Sequence, residues 1–152
     1  MKKIFHTDQL IKKIKLEKKK NKKIIHCHGV FDLVHVGHIK HFQEAKRIGD
    51  FLVVSITSNK YVNKGSGRPI FNENLRAEFL SSLECVDAIY INHQATPEKL
   101  ISLIKPDIYF KGPDYKDNQK DRTKNILKEI SVVKKHGGRI VYSNDIMFSS
   151  SN

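Results

Sequence analysis

Apolar positions along the chain follow two alternating patterns that together predict an α/β protein. Short apolar runs stand at residues 24–28, 51–57, 86–91 and 139–142, and a further run starts at residue 106 and enters a turn at Gly112. Between these runs, apolar residues recur every three or four positions, as on the buried face of a helix. Largely apolar strands are typical of a sheet that helices cover on both sides. The pattern therefore predicts a Rossmann-like parallel sheet of five strands with helices on both faces.

The helical periods predict five helices, and candidate capping residues precede three of them. Thr7 or Asp8 can cap the first helix, which we expect to pack on the edge of the sheet. Asn72 can cap the third helix, and Thr96 can cap the fourth with Pro97 at its first position. We expect the following apolar positions on these helices to be buried: Leu10, Ile11, Ile14, Ile39, Phe42, Ala45, Leu75, Phe79, Leu80, Leu83, Leu100, Ile101, Ile104, Ile126, Leu127, Ile130 and Val133.

The composition is that of a globular protein with an uneven distribution of charge. The 152 residues are 39% hydrophobic, and they contain neither an apolar run of the ~20 residues that a membrane helix needs nor a signal peptide. We therefore expect one domain in the cytoplasm, with Cys27 and Cys85 reduced. Ten Lys and two acidic residues stand in residues 1–23, which supply eight of the twelve net positive charges. This local excess predicts a solvated helix face rather than binding of nucleic acid or membrane.

The stretch from residue 24 to 42 carries the pattern that predicts chemistry. An apolar strand runs into Gly29, and a helix opens near His35, Gly37 and His38. A strand, a glycine turn and a helix start form an anion site, because unpaired backbone N–H groups and the positive end of the helix dipole point at one spot. The two imidazoles are three positions apart and face the same side. The stretch therefore predicts a phosphate-binding centre at the carboxyl end of the first strand.

Two other interpretations of these histidines stay open. Five histidines and Cys27 lie within residues 26–41, and both residue types are common zinc ligands. Alternation along a strand places His26 and His28 on one face and Cys27 on the other, which argues against a shared metal. Histidines with a purely structural role are the second alternative.

The run from His28 to His38, His-Gly-Val-Phe-Asp-Leu-Val-His-Val-Gly-His, resembles the first motif of the cytidylyltransferase-like nucleotidyltransferases. This family includes glycerol-3-phosphate cytidylyltransferase and the adenylyltransferase domain of ADP-heptose synthase. Further matches follow in order along the chain. The resemblance implies a catalytic core over residues 23–152, after a basic N-terminal helix at 1–22. In the family a phosphate-binding helix would continue past Asn152, so we expect either that this helix is absent or that the chain is a domain cut from a longer protein.

The resemblance implies a role for residues at each of its motifs. His35 and His38 would be catalytic and stabilise the reacting α-phosphate, and Lys64 in a polar loop would add positive charge; a solvent lysine is the alternative for Lys64. Asp32 and Arg76 would bind the acceptor, with a surface arginine as the alternative for Arg76. The residues that would bind the nucleotide are Gly29, Val30, Phe31, His35, Gly37, His38, Lys111, Gly112, Asp114, Tyr115, Phe148, Ser149, Ser150 and Ser151.

The implied reaction is nucleotidyl transfer, in which a phosphate oxygen of a sugar or polyol phosphate attacks the α-phosphorus of a nucleoside triphosphate and pyrophosphate leaves. Mg²⁺ would be carried on the triphosphate oxygens, since the chain offers no compact carboxylate cage and so no metal site of its own. Residues 96–115 resemble the ADP-heptose synthase domain more closely, which implies ATP and a heptose-1-phosphate-like acceptor. CTP with glycerol-3-phosphate or another polyol phosphate is the alternative, although residues 143–145 lack an arginine that the glycerol-3-phosphate enzyme has there.

The expected partners are the two substrates and a second copy of the chain in a homodimer. A function of another class stays open, namely a non-catalytic nucleotide or nucleic-acid binding module that uses the basic N-terminus. A disordered tail is the alternative interpretation of the serines at 149–151.

Overall fold

The computed structural model describes residues 2–113 and 125–144. The strands within these ranges are β1 (Ile24–Gly29), β2 (Phe51–Thr57), β3 (Ala88–Asn92), β4 (Ile108–Lys111) and β5 (Arg139–Tyr142). The helices are α1 (Thr7–Lys19), α2 (Val36–Arg47), α3 (Glu73–Ser81), α4 (Glu98–Ile104) and α5 (Asn125–Lys135). In the part of the chain so described, no helix has the length and apolar character needed to cross a membrane.

The strands form one sheet in the order β3-β2-β1-β4-β5, and all neighbours are parallel. The predicted five-stranded parallel α/β fold is confirmed. The order reverses between β1 and β4, because the chain leaves β1 toward β2 and β3 on one side and later reaches β4 on the other. Ligands of open parallel sheets bind outside the carboxyl ends of the strands at such a switch point. The turns that begin at Gly29 and Gly112 meet there.

Apolar side chains join the helices to both faces of the sheet. Helices α2 and α3 cover one face, where Phe42 and Leu80 belong to the same buried cluster as Leu52. Helices α1 and α4 cover the other face near β2 and β3, and α5 covers it near β4. Because side chains alternate along β1, Cys27 lies with the first cluster, while His26 faces the side of Tyr109.

Two details predicted for α1 are wrong. Its N-cap is His6 rather than Thr7 or Asp8, and the Thr7 hydroxyl lies 2.6 Å from that of Tyr90 instead. The helix packs on a face of the sheet, since Leu10 is buried in the cluster that contains residues of β1, β2 and α4. An amphipathic pattern indicates that a helix is covered on one side but does not say which surface of the sheet covers it.

Smaller corrections concern β3, α4 and α5. β3 starts two residues later than predicted and ends at Asn92. Pro97 occupies the N-cap of α4 rather than its first helical position, and the Thr96 hydroxyl donates to Glu98 at 2.9 Å. On α5, Leu127 is 49% exposed and Glu129 is buried in its stead.

Helix α3 turns part of its predicted apolar stripe to solvent. Asn72 caps the helix as predicted, with Oδ1 accepting from the backbone N–H of Leu75 at 2.9 Å. The side chains of Leu75 and Phe79 are, however, 49% and 47% exposed, whereas Arg76 and Leu80 are buried. The helix is therefore rotated so that a charged side chain lies beneath it and an apolar surface stays open.

Candidate active site

The two histidines of the His-x-Gly-His motif lie side by side at the N-terminus of α2. His35 is the N-cap, and its Nδ1 accepts from the backbone N–H of Gly37 at 3.0 Å. Nδ1 of His38 accepts in turn from the backbone N–H of His35 at 3.2 Å. The ring centroids are 4.1 Å apart. The motif thus predicts a pair of imidazoles on one side of the helix start, and this is where the structure places them.

These hydrogen bonds decide which nitrogen of each ring carries the proton. A backbone N–H can only donate, so Nδ1 of both His35 and His38 is an acceptor. In a neutral imidazole the other nitrogen then bears the hydrogen. The helix start therefore holds both rings in the tautomer with the hydrogen on Nε2; the side chain of His38 is half-buried, whereas the Nε2 atom of His35 is buried.

His38 is a neutral donor at physiological pH. Burial, followed by the nearby charges of His35 and Lys64, lowers the pKa of His38 to about 4. An uncharged donor at a helix N-terminus stabilises developing negative charge on a phosphate through its hydrogen bond, together with the helix dipole.

The turn after β1 is held in an uncommon backbone conformation. Phe31 has φ = 50°, in the left-handed region that bulky residues rarely adopt. The tip of its ring lies against Gly29, where a Cβ would be 2.8 Å from Cζ of Phe31. The same ring meets His38 edge-on, at 5.7 Å between centroids. Gly29 is therefore needed for close approach, and Phe31 supports the imidazole beside it.

Asp32 clamps the polar loop to this turn. Its carboxylate accepts from the backbone N–H groups of Ile70 at 2.7 Å and Phe71 at 2.9 Å, and from Nε of Arg68 at 2.9 Å. Burial by itself would raise the pKa of Asp32, but these hydrogen bonds outweigh it, so the pKa is lowered. These contacts fix the end of the loop that carries Lys64, and they occupy both oxygens of the residue predicted to bind the acceptor.

Arg76 is buried under α3, so the alternative of a surface arginine is wrong. Its guanidinium donates to the backbone oxygens of Val30, Thr57 and Phe71 and to Oδ1 of Asn59, at 2.7 to 3.0 Å. These bonds tie the turn after β1 to the end of β2 and to the loop before α3. Such contacts use four of the five N–H donors of an arginine and leave little for the phosphate of an acceptor.

Two lysines approach the switch point from different sides. Lys64 is exposed on its loop and lines the space above Gly29, and its positive charge contributes to the lowered pKa of His38. Lys111 is only 8% exposed, and its Nζ donates to the backbone oxygen of His28 at 3.1 Å. The Nζ of Lys111 is also 3.7 Å from Oε1 of Glu129. Positive charge is therefore concentrated where the turns after β1 and β4 meet.

Two cavities open at the switch point, with a common wall. The first, which we call the histidine cleft, has a volume of about 170 Å³, and the residues that line it alone are Phe31, His38, His41, Phe110 and Gly112. The second, which we call the polar cavity, has a volume of about 260 Å³, and the residues that line it alone are Thr57, Ala95, Thr96, Pro97, Asn125, Ile126 and Glu129. The wall that both share consists of His28, Gly29, Val30, Lys64 and Lys111.

A third cavity, the apolar pocket, lies against α3. It has a volume of about 360 Å³, and its lining includes the exposed rings of Phe71 and Phe79. Asp32 and Arg76 border it, but both are engaged in the contacts described above. The residues predicted to bind the acceptor therefore surround an apolar space rather than a polar one.

The remaining histidines of β1 form a buried chain on the opposite face from Cys27. The Ser55 hydroxyl is 2.7 Å from Nε2 of His26 and 2.7 Å from Nδ1 of His28. Burial and the charge of Lys111 lower the pKa of His26 to about 3, and that of His28 is also well below its usual value. Across the described residues, no group of three or more His, Cys, Asp or Glu is arranged to hold a metal ion, so the zinc alternative finds no support.

We expect the free energy of unfolding to fall as the pH is lowered from about 6.5 toward 4. His26, His28 and His38 stay neutral in the fold but take up protons in the unfolded chain near the ordinary histidine pKa. The unfolded state then binds more protons, which costs about 1 kcal/mol per pH unit for the fully buried His26 and less for His38, which is partly exposed to solvent. Urea unfolding at pH 7, 6 and 5 measures this slope.

The matched variants for this pH dependence are His26→Gln and His136→Gln. The first removes one buried titrating ring, and we expect a slope shallower by about 1 kcal/mol per pH unit. The second changes a histidine that follows α5, away from the buried chain, and should retain the wild-type slope. Equal unfolding midpoints at pH 7 and pH 5 in the wild type would contradict the assignment.

Some lining residues were not identified by sequence reasoning, and some predicted ones are not described. Thr57 and Glu129 belong to the polar cavity but carry no motif, and Thr96, which also lines it, was predicted as a helix cap and not as a site residue. The only signal for them is their position in the fold: Thr57 ends β2, Thr96 precedes α4 and Glu129 lies on α5. Among the residues predicted to bind nucleotide, Gly29, Val30, Phe31, His38, Lys111 and Gly112 line the histidine cleft. Asp114, Tyr115, Phe148, Ser149, Ser150 and Ser151 lie outside the described residues.

Comparison with known proteins places these features in context. The model of the cytidylyltransferase-like family matches residues 26–152. The chain is 39% identical over 140 residues to the bifunctional protein HldE of Geotalea uraniireducens, covering 91% of this chain and 27% of that one. It is 48% identical over 104 residues to HldE of Campylobacter jejuni subsp. jejuni serotype O:2, covering 67% and 23%. The chain thus spans about a quarter of the length of these curated relatives.

Solved structures resemble the fold as well. A lipopolysaccharide core biosynthesis protein from Thermoplasma volcanium superposes with a TM-score of 0.68 at 31% identity, over 82% of this chain and 98% of that one. A pantoate-β-alanine ligase from Francisella tularensis superposes with a TM-score of 0.58 at 18% identity, over 92% and 66%, which supports the fold alone.

Proposed function

Because the chain belongs to the cytidylyltransferase-like family of nucleotidyltransferases, we propose that it transfers a nucleoside monophosphate from a nucleoside triphosphate to a sugar phosphate. In this reaction a phosphate oxygen of the acceptor forms a bond to the α-phosphorus, and the bond from the α-phosphorus to the leaving pyrophosphate breaks. The observation that carries the proposal is the pair of imidazoles that backbone N–H groups fix in the Nε2–H tautomer at the start of α2, with His38 lining the histidine cleft.

The histidine pair supplies stabilisation rather than covalent chemistry. His35 and His38 donate hydrogen bonds to nonbridging oxygens of the α-phosphate as it becomes pentacoordinate. Because the helix start holds both rings in one tautomer, little reorganisation is needed during the reaction. Positioning and neutralisation of charge can supply most of the acceleration in phosphoryl chemistry.

The lysines and Mg²⁺ balance the charge of the triphosphate. Lys64 and Lys111 line the wall shared by both cavities, where they approach the reacting phosphate. We propose that Mg²⁺ arrives on the triphosphate oxygens, where it neutralises charge and favours departure of pyrophosphate. The chain's own contribution there is the cationic wall, together with the N-terminus of α2.

For the substrates, we propose ATP and a heptose-1-phosphate-like acceptor. The resemblance of residues 96–115 to the ADP-heptose synthase domain supports this choice, as does the name of the Thermoplasma volcanium protein, which refers to lipopolysaccharide core biosynthesis. A role in the synthesis of cell-surface polysaccharide follows from it. We propose the cytoplasm as its place, because nucleoside triphosphates and sugar phosphates are cytoplasmic metabolites.

We also propose that two copies of the chain associate through the apolar surface of α3. Phe71, Leu75 and Phe79 are each 45 to 49% exposed there and line the apolar pocket together. Contiguous exposed apolar surface of this kind is typical of interaction sites. Sedimentation equilibrium measures the mass, for which we expect twice that of the 17.6 kDa chain.

Pyrophosphate release tests the proposed reaction. The purified chain is mixed with Mg²⁺, with ATP, CTP, GTP or UTP, and with a panel of sugar and polyol phosphates. We expect release with ATP and a heptose-1-phosphate-like acceptor, and its loss in His35→Ala. His136→Ala is the control, because this histidine follows α5 rather than lining either cavity at the switch point. If the folded wild-type chain released no pyrophosphate with any combination of nucleotide and acceptor, the proposal would be contradicted. Binding of a polyanion that His35→Ala leaves unchanged would favour a binding module.

A further inference from the structure

The two cavities at the switch point differ in the groups that belong to each. The histidine cleft alone contains His38, beside the start of α2. The polar cavity alone contains Thr57, Thr96 and Glu129. Lys64 and Lys111 belong to the wall that both share. A phosphate held against this wall therefore lies next to both cavities.

Displacement at phosphorus needs room for both an attacking and a leaving group. The attacking oxygen and the leaving oxygen lie roughly in line on opposite sides of the phosphorus. This argument rests on the proposed function, which places the triphosphate against His38 in the histidine cleft. The polar cavity shares a wall with the histidine cleft, so an acceptor that lies in the polar cavity brings its phosphate next to the α-phosphorus.

The groups in the polar cavity suit a ligand with many hydroxyls. A carboxylate accepts hydrogen bonds from hydroxyls, and a threonine hydroxyl can both donate and accept. Glu129 is 7% exposed, and Oε1 is the atom that accepts from Tyr109 and lies near Lys111. Since a carboxylate has about four lone-pair sites, these contacts leave Glu129 able to accept from a ligand as well. The hydroxyl of Tyr109, which donates to Oε1, holds the carboxylate of Glu129 in place on α5.

The apolar pocket is a poorer candidate for such a ligand. Its wall is formed largely by apolar side chains, among them Leu33, Val34 and Leu75. Its two polar residues, Asp32 and Arg76, are consumed by contacts that hold loops together. A sugar in that pocket would lose hydrogen bonds to water without regaining them.

We propose that the polar cavity is the acceptor subsite, and that Glu129 and Thr96 contact hydroxyls of a sugar or polyol phosphate there. Glu129 is thereby a residue that determines acceptor specificity, and Lys111 beside it faces the acceptor's phosphate. The subsite lies on the α4 and α5 side of the sheet, rather than beside Asp32 and Arg76.

Steady-state kinetics of Glu129→Gln and Thr96→Val test the assignment. We expect the KM for the acceptor to rise about 10-fold or more in Glu129→Gln and about 5-fold in Thr96→Val, because one hydrogen bond to the ligand is weakened or lost. The KM for the nucleotide should stay within about 2-fold of wild type, whereas a general disturbance of the structure would change both KM values. Thr7→Val is the control, since the Thr7 hydroxyl contacts Tyr90 and neither residue lines the polar cavity or the histidine cleft.

Acceptors that lack one hydroxyl sharpen this test. If Glu129 binds one hydroxyl of the acceptor, an acceptor that lacks this hydroxyl should bind the wild type more weakly, but it should bind Glu129→Gln no more weakly than the complete acceptor does. An acceptor that lacks any other hydroxyl should lose the same binding free energy with both proteins. If the variants left the KM for the acceptor unchanged, or changed the KM values for acceptor and nucleotide equally, the subsite would be overturned and the transferase proposal would remain intact. If the wild type released no pyrophosphate, both proposals would be overturned.

Discussion

Replacing His38 with asparagine is expected to lower kcat about 100- to 1,000-fold, the usual effect of removing one donor to a developing oxyanion. The amide oxygen of asparagine can take the place of Nδ1 and still accept from the backbone N–H of His35. The variant therefore keeps the start of α2 intact and lacks only the Nε2–H donor. Initial rates of pyrophosphate release measure the loss.

The matched variant is His38→Gln, in which the longer side chain brings an amide N–H near the position of Nε2. We expect His38→Gln to retain turnover within about 10-fold of wild type, because a donor remains for the phosphate. Thermal unfolding of both variants should lie close to wild type. Equal loss in the two variants would contradict the tautomer assigned to His38, and full activity in His38→Asn would remove it from the reaction.

Replacing Arg76 with lysine is expected to lower the free energy of unfolding by about 3 kcal/mol or more. Lysine cannot reproduce the planar fork that donates to four oxygens, and several buried acceptors would lose their partner. Urea unfolding measures the change. Arg47→Lys is the control, since that arginine is exposed at the end of α2, and it should stay within about 0.5 kcal/mol of wild type.

The same variant discriminates between the two roles considered for Arg76. A residue that binds only the acceptor would raise the KM for the acceptor and leave unfolding unchanged. The structure instead predicts loss of stability together with a lower kcat, because the turn after β1 and the end of β2 are no longer tied. Wild-type stability with a raised acceptor KM would return Arg76 to the acceptor site.

The fold and the histidine pair could be predicted because their signals are local. Apolar runs and helical periods lie within a few turns of chain, and they are the features that place strands and helices. The positions of His35 and His38 follow from the start of α2, since residues three apart share a side. The alternation that separates Cys27 from His26 and His28 is local in the same way, and the structure confirms it.

The roles of Asp32 and Arg76 depend on contacts that no local pattern contains. Asp32 binds amides 38 and 39 positions away, and Arg76 donates to Val30 at a separation of 46. A helix with apolar residues on two sides can pack either side against the core. For α3, the contacts of the buried Arg76 determine which side faces the core. Periodicity does not predict this outcome, because burial of a charge depends on the partners that the rest of the fold supplies.

Glu129 illustrates the same limit. It stands three positions after Ile126 on α5, so helical periodicity places it on the buried side, yet its charge predicts a surface position. Its burial depends on Tyr109 and Lys111 of β4, which contact its carboxylate directly. The polar cavity could not be predicted for this reason, although Thr57, Lys111 and Glu129 all belong to predicted elements.

The position of the transferred label tests the central claim most directly. The chain is incubated with Mg²⁺, a heptose-1-phosphate-like acceptor, and ATP labelled at either the α- or the γ-phosphorus. The account predicts that the α-label enters a nucleoside diphosphate sugar and that the γ-label leaves in pyrophosphate. Transfer of the γ-label to the acceptor, or release of the α-label as free AMP without a sugar product, would contradict it.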